Sequence, residues 1–210
     1  MDRIMALPSV DIQWGNHDMI WIGAYLGSLP CLLTLLRIAA RYNYLFDIER
    51  SYGINLRPLF SFAKKYYQAN PVFTPKGLTD KEKAEGTTEM EQVHQALAII
   101  QFKLEEQVIH RRPEFDMDHR LLLENIDFQN ETVQVEGHTY PMVGSCFQTV
   151  DPARPNALTP EEEEVVGELI YSFQNSEKMK RHMDFLLSKG SNYLIYNKHL
   201  LFHACLPLED

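Results

Sequence analysis

The stretch VDIQWGNHD, residues 10–18, joins a short alternating run of apolar residues to a glycine and three polar residues. The alternation in Val10–Trp14 predicts a strand, Gly15 permits a tight backbone turn, and Met19–Leu26 has the composition of a helix. The polar residues would then follow the carboxyl end of a strand, where open α/β sheets bind ligands. The stretch therefore predicts an α/β fold with a polar site at residues 15–18.

The residues after Gly15 are suited to metal-assisted hydrolysis. The Asn16 amide offers a carbonyl oxygen to a divalent cation, and His17 carries a proton that ionises near neutral pH. A simpler interpretation is a Gly-Asn turn followed by a helix that starts with Asp18. The tetrapeptide alone does not distinguish a metal site from a simple turn and helix start.

Composition narrows the class of ligand. The 210 residues include 20 basic and 29 acidic side chains, a formal charge of −9. This balance argues against a general nucleic-acid-binding surface. An anionic substrate would need a local site, which divalent cations can provide.

The cysteines and the N-terminal residues indicate a cytoplasmic protein. Cys31, Cys146 and Cys205 are too few and too scattered for a disulfide framework or a Cys-x-x-Cys zinc site. Charged and polar residues interrupt any apolar signal sequence near the start. Met19–Leu36 is uncharged and approaches the length of a membrane span, but Gly27–Pro30 interrupts it. We therefore expect two buried helices with a turn between them, and no membrane partner.

The middle of the chain is mainly helical by its periodicity. Apolar spacing predicts an amphipathic helix over Arg57–Gln68 and a long helix over Thr87–Arg112, with an exposed polar loop over Pro75–Gly86 between them. Thr159 as N-cap, with Pro160 and Glu162 after it, predicts another helix start through a capping box. The acidic run that contains Glu162 thus has a structural cause.

Two further segments predict strands. Thr132–Glu136 alternates before the Gly137-His138 turn, which indicates a hairpin near residues 132–142. Tyr193–Tyr196 and His199–Phe202 flank the polar pair Asn197-Lys198 and predict two short strands that end at His203.

Several segments together resemble the calcineurin-like metallophosphoesterases, and more closely the bacterial class III fructose-1,6-bisphosphatases. The Gly-Asn-His-Asp block is shared by the superfamily, whereas the Asp-Ile-Gln-Trp prefix and the tail with Cys205 point to this branch. The segments that carry the resemblance are Leu7–Asp18, Arg111–Phe115, Arg120–Leu123, Ser176–Lys178 and Leu200–Leu208.

The resemblance implies a role for each matching residue. Asn16 and His203 match metal ligands, and His17 matches the catalytic imidazole near the leaving-group oxygen. Asp18 either orients His17 or holds the turn that starts the helix. The implied reaction is two-metal hydrolysis with Mn²⁺, which releases the 1-phosphate of fructose 1,6-bisphosphate in gluconeogenesis.

The chain departs from the family pattern in two respects. Ala204 stands where the family usually has glycine, which would strain a turn that needs a positive φ. An Asp-x-His pair and a Gly-Asp block that family members place before the Gly-Asn-His-Asp strand are missing, as is another histidine near the protein's end. We therefore expect an incomplete portion of a longer enzyme, inactive or nearly so alone, because metal affinity depends on ligand count.

The expected organisation is a partial metallophosphoesterase sheet core formed by both chain ends around a large helical insertion. Residues 1–44 would carry the first part of the core, 45–190 the insertion, and 191–210 the returning strands with His203. Val10–Trp14 and the strands in Tyr193–Phe202 would share one sheet. Two alternatives to the fructose-bisphosphatase hypothesis are a metallophosphoesterase of other specificity, such as a phosphoprotein phosphatase, and a non-enzymatic helical module that binds a partner.

Overall fold

The computed structural model describes residues 1–142, 144 and 146–204. Helices form most of its regular structure: α1 (Asp2–Met5), α2 (Asn16–Tyr25), α3 (Leu29–Arg41), α4 (Leu45–Tyr52), α5 (Arg57–Tyr66), α6 (Asp80–Glu85), α7 (Thr88–Arg111), α8 (Pro160–Gln174) and α9 (Glu177–Lys189). Short 3-10 helices lie at Pro71–Phe73, Pro113–Phe115 and Asp118–Arg120. The strands are β1 (Ile12–Gln13), β2 (Ile126–Asp127), β3 (Thr132–Val135), β4 (His138–Pro141), β5 (Gly190–Ser191), β6 (Tyr193–Tyr196) and β7 (His199–Phe202).

Helix α7 is the centre of the fold. Residues 90–101 are all buried, and α3 and α5 pack against this helix. Its buried polar side chains bond to neighbouring backbone: Gln92 donates to the Tyr67 carbonyl at 2.7 Å and Gln95 to the Gln68 carbonyl at 2.8 Å. A helix surrounded by protein needs such partners because an unpaired buried amide is costly.

A fully buried ion pair joins α7 to α8. The Lys103 ammonium donates to Glu162 Oε2 and to the Thr149 carbonyl, both at 2.7 Å, and neither charged side chain has any exposed surface. Thr149 Oγ1 donates to the other carboxylate oxygen at 2.7 Å, and the Thr159 amide to Oε2. Glu162 therefore completes the expected capping box and also neutralises a buried cation.

The sheets are small. β2, β3 and β4 form an antiparallel sheet, β6 and β7 form a hairpin, and β1 pairs in parallel with β5 through Ile12 to Gly190 and Gln13 to Ser191. The expectation that Val10–Trp14 and the strands in Tyr193–Phe202 share one sheet is wrong. β1 pairs instead with the two residues that directly follow α9, and β6 and β7 pair with each other. The fold is thus mixed and mostly helical.

The local expectations from sequence are otherwise largely confirmed. Helices α2 and α3 are separated by a turn at Gly27, which has φ +98°, and Ser28 caps α3. The predicted loop over Pro75–Gly86 is wrong in part, because it contains α6, whose start is held by a reciprocal capping box between Thr79 and Glu82. Within the described ranges, no helix is both long and apolar enough to cross a bilayer.

Candidate functional site

Trp14, which directly precedes the Gly-Asn-His-Asp segment, fixes that segment to the end of α9. The Trp14 backbone amide donates to the Ser191 carbonyl at 2.9 Å, and its indole Nε1 donates to the Leu186 carbonyl at 3.0 Å. A Cβ on Gly190 would lie 1.8 Å from Trp14 Nε1 and 2.4 Å from the Leu186 oxygen. Only glycine leaves room for the indole at this junction.

Gly15 and Asp18 form the start of α2. Gly15 is extended, with φ −92° and ψ 174°, and its amide donates to Asp18 Oδ2 at 2.9 Å. Because Gly15 has no side chain, this is one half of a capping box. A carboxylate in the first turn also suits the positive end of the helix dipole. Asp18 therefore has a structural role that holds the turn.

Asn16 and His17 occupy the first positions of α2, and both are exposed. Since the turn at Gly15 directs the chain from β1 into the helix, both residues lie at the carboxyl end of β1. This is the end of a strand at which the sequence predicted a site.

The structure places His203 against this segment. A Cβ on Gly15 would lie 2.7 Å from His203 Cε1, 2.8 Å from Nε2 and 2.9 Å from Nδ1. The imidazole thus packs over the backbone of Gly15, the residue that precedes Asn16, and the His203 side chain is exposed. Residues from opposite ends of the chain meet here, and a glycine is needed for the close approach.

The two predicted metal ligands do not by themselves form a metal site. Across the described residues, no group of three or more His, Cys, Asp or Glu side chains could hold a metal ion. The Asn16 amide oxygen and the His203 imidazole are suitable donors, but two donors do not complete a dinuclear site. Cys205 of the predicted tail lies outside the described residues.

Sequence reasoning missed a polar cluster at the N-terminus. His182 is 3% exposed; its Nε2 lies 2.9 Å from Asp2 Oδ1 and its Nδ1 lies 3.1 Å from the Tyr52 hydroxyl. The hydrogen bonds from His182 and Arg181 lower the pKa of Asp2 to about 2. Because Asp2 and His182 are far apart in sequence, no local pattern indicates this pairing. The cluster ties α1 to α9.

An open groove of about 1180 Å³ borders this cluster, between α8, α9 and the loop after α4. Tyr52, Tyr171 and Arg181 line it, together with several glutamates. The groove lies apart from the Gly15–His203 contact, since none of residues 15–18 or His203 lines it.

Comparisons with known proteins identify relatives over the whole chain. The class 3 fructose-1,6-bisphosphatase of Streptococcus sanguinis is 54% identical over 211 residues, which cover 100% of this chain and 33% of the relative. The protein of the same name from Staphylococcus xylosus is 54% identical and 32% covered. The Streptococcus gordonii protein is 51% identical and 33% covered. The chain thus spans about a third of the length of these curated relatives, and no solved structure matches it.

The family model described as Firmicute fructose-1,6-bisphosphatase matches residues 1–210. Because the match covers the whole chain, the chain belongs to the Firmicute fructose-1,6-bisphosphatase family.

Proposed function

We propose that this chain is part of a class 3 fructose-1,6-bisphosphatase, which hydrolyses the 1-phosphate ester of fructose 1,6-bisphosphate to give fructose 6-phosphate and phosphate. Family membership and the names of the relatives support this activity. The observation that carries the assignment to residues is the His203 ring over Gly15, because it brings His203 next to the residue that precedes Asn16. The reaction belongs to cytoplasmic gluconeogenesis.

The proposal gives a distinct task to each of four residues: Asn16, His17, Asp18 and His203. Asn16 and His203 are metal ligands, and bound Mn²⁺ would neutralise the phosphoryl oxygens and activate water. His17, exposed in the first turn of α2, donates a proton to the departing sugar oxygen. Asp18 holds the Gly15 amide and so keeps Asn16 and His17 in place.

The remaining ligands come from parts of the enzyme beyond the third that this chain spans. In this organisation residues 1–44 and 191–210 contribute to a metallophosphoesterase sheet core, and residues 45–190 form a helical insertion. The parallel pairing of β1 with β5 supports it, because that pairing brings the first part of the chain next to Gly190, where the insertion ends.

The test uses a longer protein in which this chain replaces the matching third of the Streptococcus sanguinis relative. Phosphate release is measured with Mn²⁺ from fructose 1,6-bisphosphate, other sugar phosphates and a phosphoprotein. We expect Asn16→Ala to lower kcat/KM by more than about 100-fold, since even the outer partners of metal ligands are worth about 10–100-fold.

Asn70→Ala is the matched control, because it removes the same amide from a residue that caps a 3-10 helix by accepting from the Val72 amide. It should leave kcat/KM unchanged. Undiminished activity of Asn16→Ala would refute the assignment of the site. Preference for the phosphoprotein would indicate a different metallophosphoesterase, and a longer protein that binds neither Mn²⁺ nor sugar phosphate in calorimetry would favour a binding module.

A further inference from the structure

Three basic side chains at the start of α9 surround the Asp2 carboxylate, and we call Lys178, Arg181 and His182 the donor cluster. Arg181 Nη2 donates to Asp2 Oδ1 at 2.8 Å, and His182 Nε2 donates to the same oxygen at 2.9 Å. Lys178 Nζ lies 4.0 Å from Oδ2, which is too far for a hydrogen bond, and it lies over the Tyr52 ring instead. The carboxylate therefore uses only two of the three donors.

The imidazole of the donor cluster is fixed in place. His182 is 3% exposed, and its ring lies edge-on to the Tyr52 ring, with 5.6 Å between the centroids. Because a carboxylate can only accept, His182 Nε2 carries the hydrogen, and in the neutral ring the Tyr52 hydroxyl then donates to Nδ1 at 3.1 Å. Ser176 Oγ donates to the Tyr52 carbonyl at 2.6 Å. These contacts direct Nε2 at the position of the anion even when Asp2 leaves it.

The segment that supplies Asp2 has little hold on the core. Helix α1 has four residues, and none of them is buried. The Asp2 side chain is 56% exposed and the Arg181 side chain is 58% exposed, so water competes with their ion pair. Displacement of Asp2 from the donor cluster would therefore uncover no buried residue of α1.

The open groove between α8, α9 and the loop after α4 leads to the donor cluster. Lys178, Arg181 and Tyr52 line the groove, whereas Asp2 does not. Hydroxyl, amide and carboxylate groups occupy much of the remaining wall: Asn55, Glu164, Glu168, Ser172 and Asn175. With a volume of about 1180 Å³, the groove has room for a small polar molecule whose anionic group reaches the donor cluster.

We propose that the donor cluster binds the phosphate group of a small hydroxylated phosphomonoester, whose body lies in the groove, and that the Asp2 carboxylate competes with this phosphate. A phosphomonoester carries nearly two negative charges at neutral pH and three acceptor oxygens. It can therefore accept from Arg181, His182 and Lys178 together, which the single carboxylate of Asp2 does not do. Hydroxyls of the body donate to Glu164 and Glu168, which would repel a second phosphate.

This site is separate from the proposed phosphatase site. None of residues 15–18 or His203 lines the groove, and the donor cluster needs no metal. The inference therefore does not rest on the proposed function.

Calorimetry of the 210-residue chain at neutral pH, without added metal, tests the proposal with inorganic phosphate and glycerol 3-phosphate as probes. We expect Asp2→Ala to lower the Kd of inorganic phosphate about 10-fold, because an apparent Kd falls as more molecules have an open site. Arg181→Ala should raise this Kd about 10-fold or more, since a hydrogen bond to a charged group is lost. Glycerol 3-phosphate should bind more tightly than inorganic phosphate, because its hydroxyls reach the groove.

Two exposed residues provide matched controls. Asp184 is an aspartate on α9 that pairs with Lys180 at 2.6 Å, so Asp184→Ala changes the net charge as Asp2→Ala does. Arg50 pairs with Asp47 at 2.6 Å and does not line the groove. Asp184→Ala and Arg50→Ala should leave both Kd values unchanged. Asp2→Asn, which keeps the size of the side chain, should tighten binding as Asp2→Ala does and guards against a folding defect.

Three results would overturn the proposal. An unchanged Kd in Arg181→Ala would show an adventitious ion only. Equal effects of Asp2→Ala and Asp184→Ala would show that net charge, and not competition by Asp2, controls binding. Equal binding of inorganic phosphate and glycerol 3-phosphate would remove the groove from the site.

Hydrogen exchange measured by mass spectrometry tests the displacement of Asp2 directly. Saturating inorganic phosphate should speed exchange in residues 1–9 of the parent chain, because α1 loses its contacts with α9. The same addition should leave residues 1–9 of the Asp2→Ala chain unchanged, and residues 90–101 of α7 serve as the protected reference in both. Phosphate binding without faster exchange in residues 1–9 of the parent chain would refute the competition.

Discussion

Replacement of Gly190 by alanine should disrupt the junction between Trp14 and the end of α9. Gly190 has φ −103° and ψ 156°, which alanine adopts freely, so the cost comes from the missing space alone. The added Cβ would lie 1.8 Å from Trp14 Nε1 and 2.4 Å from the Leu186 oxygen. The indole must move, and its 3.0 Å hydrogen bond to Leu186 is lost.

The expected magnitude follows from these two effects. Overfilling a packed site costs about 1–3 kcal/mol, and a lost hydrogen bond adds about 1 kcal/mol. We therefore expect the free energy of unfolding to fall by about 2–4 kcal/mol, which lowers Tm by roughly 5–15 °C in a chain of this size. The measurement is urea and thermal unfolding of the 210-residue chain followed by circular dichroism.

Gly167 provides the matched control for this substitution. It lies inside α8, and no atom lies within 4 Å of the position that its Cβ would take. Gly167→Ala should raise the free energy of unfolding by about 0.5–1 kcal/mol, since glycine is unfavourable in a helix. The shared junction also predicts that Trp14→Phe and Gly190→Ala combine to cost less than the sum of the two. A Gly190→Ala chain as stable as the parent, or a strictly additive double variant, would refute the steric reasoning.

Three further predictions concern buried or paired charges. Burial raises the pKa of the Glu106 carboxyl from 4.5 to about 7. Its contribution to the free energy of unfolding is therefore complete below pH 4.5 and falls by about 3 kcal/mol as the pH rises through 7. Glu106→Gln should flatten this pH dependence in urea unfolding from about pH 5 to 8. Lys103→Met should cost about 3–5 kcal/mol in the same assay by leaving the Glu162 carboxylate unpaired, and adding Glu162→Gln should recover part of it. The hydrogen bond from His182 lowers the pKa of Asp2 from 3.8 to about 2. The stabilisation that the Asp2 carboxylate gives is therefore present above pH 3.8 and is lost as the pH falls through 2. Asp2→Asn should weaken the fall of Tm over this pH range, and an unchanged profile of Tm against pH would contradict the pairing.

Features with local causes were predictable from sequence. The start of α8 follows from Thr159, Pro160 and Glu162, which determine a helix N-terminus within four residues. The turn of the β6–β7 hairpin follows from the polar pair between two apolar runs. The same capping signal occurs at Thr79. The charged residues around it are also typical of an exposed loop, and a loop was therefore predicted there.

Features with distant causes were not predictable. Glu162 reads as a capping residue, and nothing near it in sequence shows that Lys103 is buried against it. The spacing of apolar residues in α7 predicted a helix, but it gave no sign that tertiary packing surrounds this helix at residues 90–101. At the candidate site, the family resemblance predicted that both chain ends meet, and the His203 ring does lie on Gly15. The close fit of the Trp14 indole over Gly190 was not predictable, because it arises only when the chain has folded.

The pairing of β1 with β5 also constrains the order in which this polypeptide folds. Its contacts join Ile12 to Gly190 and Gln13 to Ser191, so the loop that must close contains nearly the whole helical region. Such distant contacts form slowly, whereas helices form from neighbouring residues. During synthesis, the Gly-Asn-His-Asp segment leaves the ribosome before α9 and before the Gly190–Ser191 strand with which β1 pairs. We therefore expect the helical core to form before β1 pairs with β5.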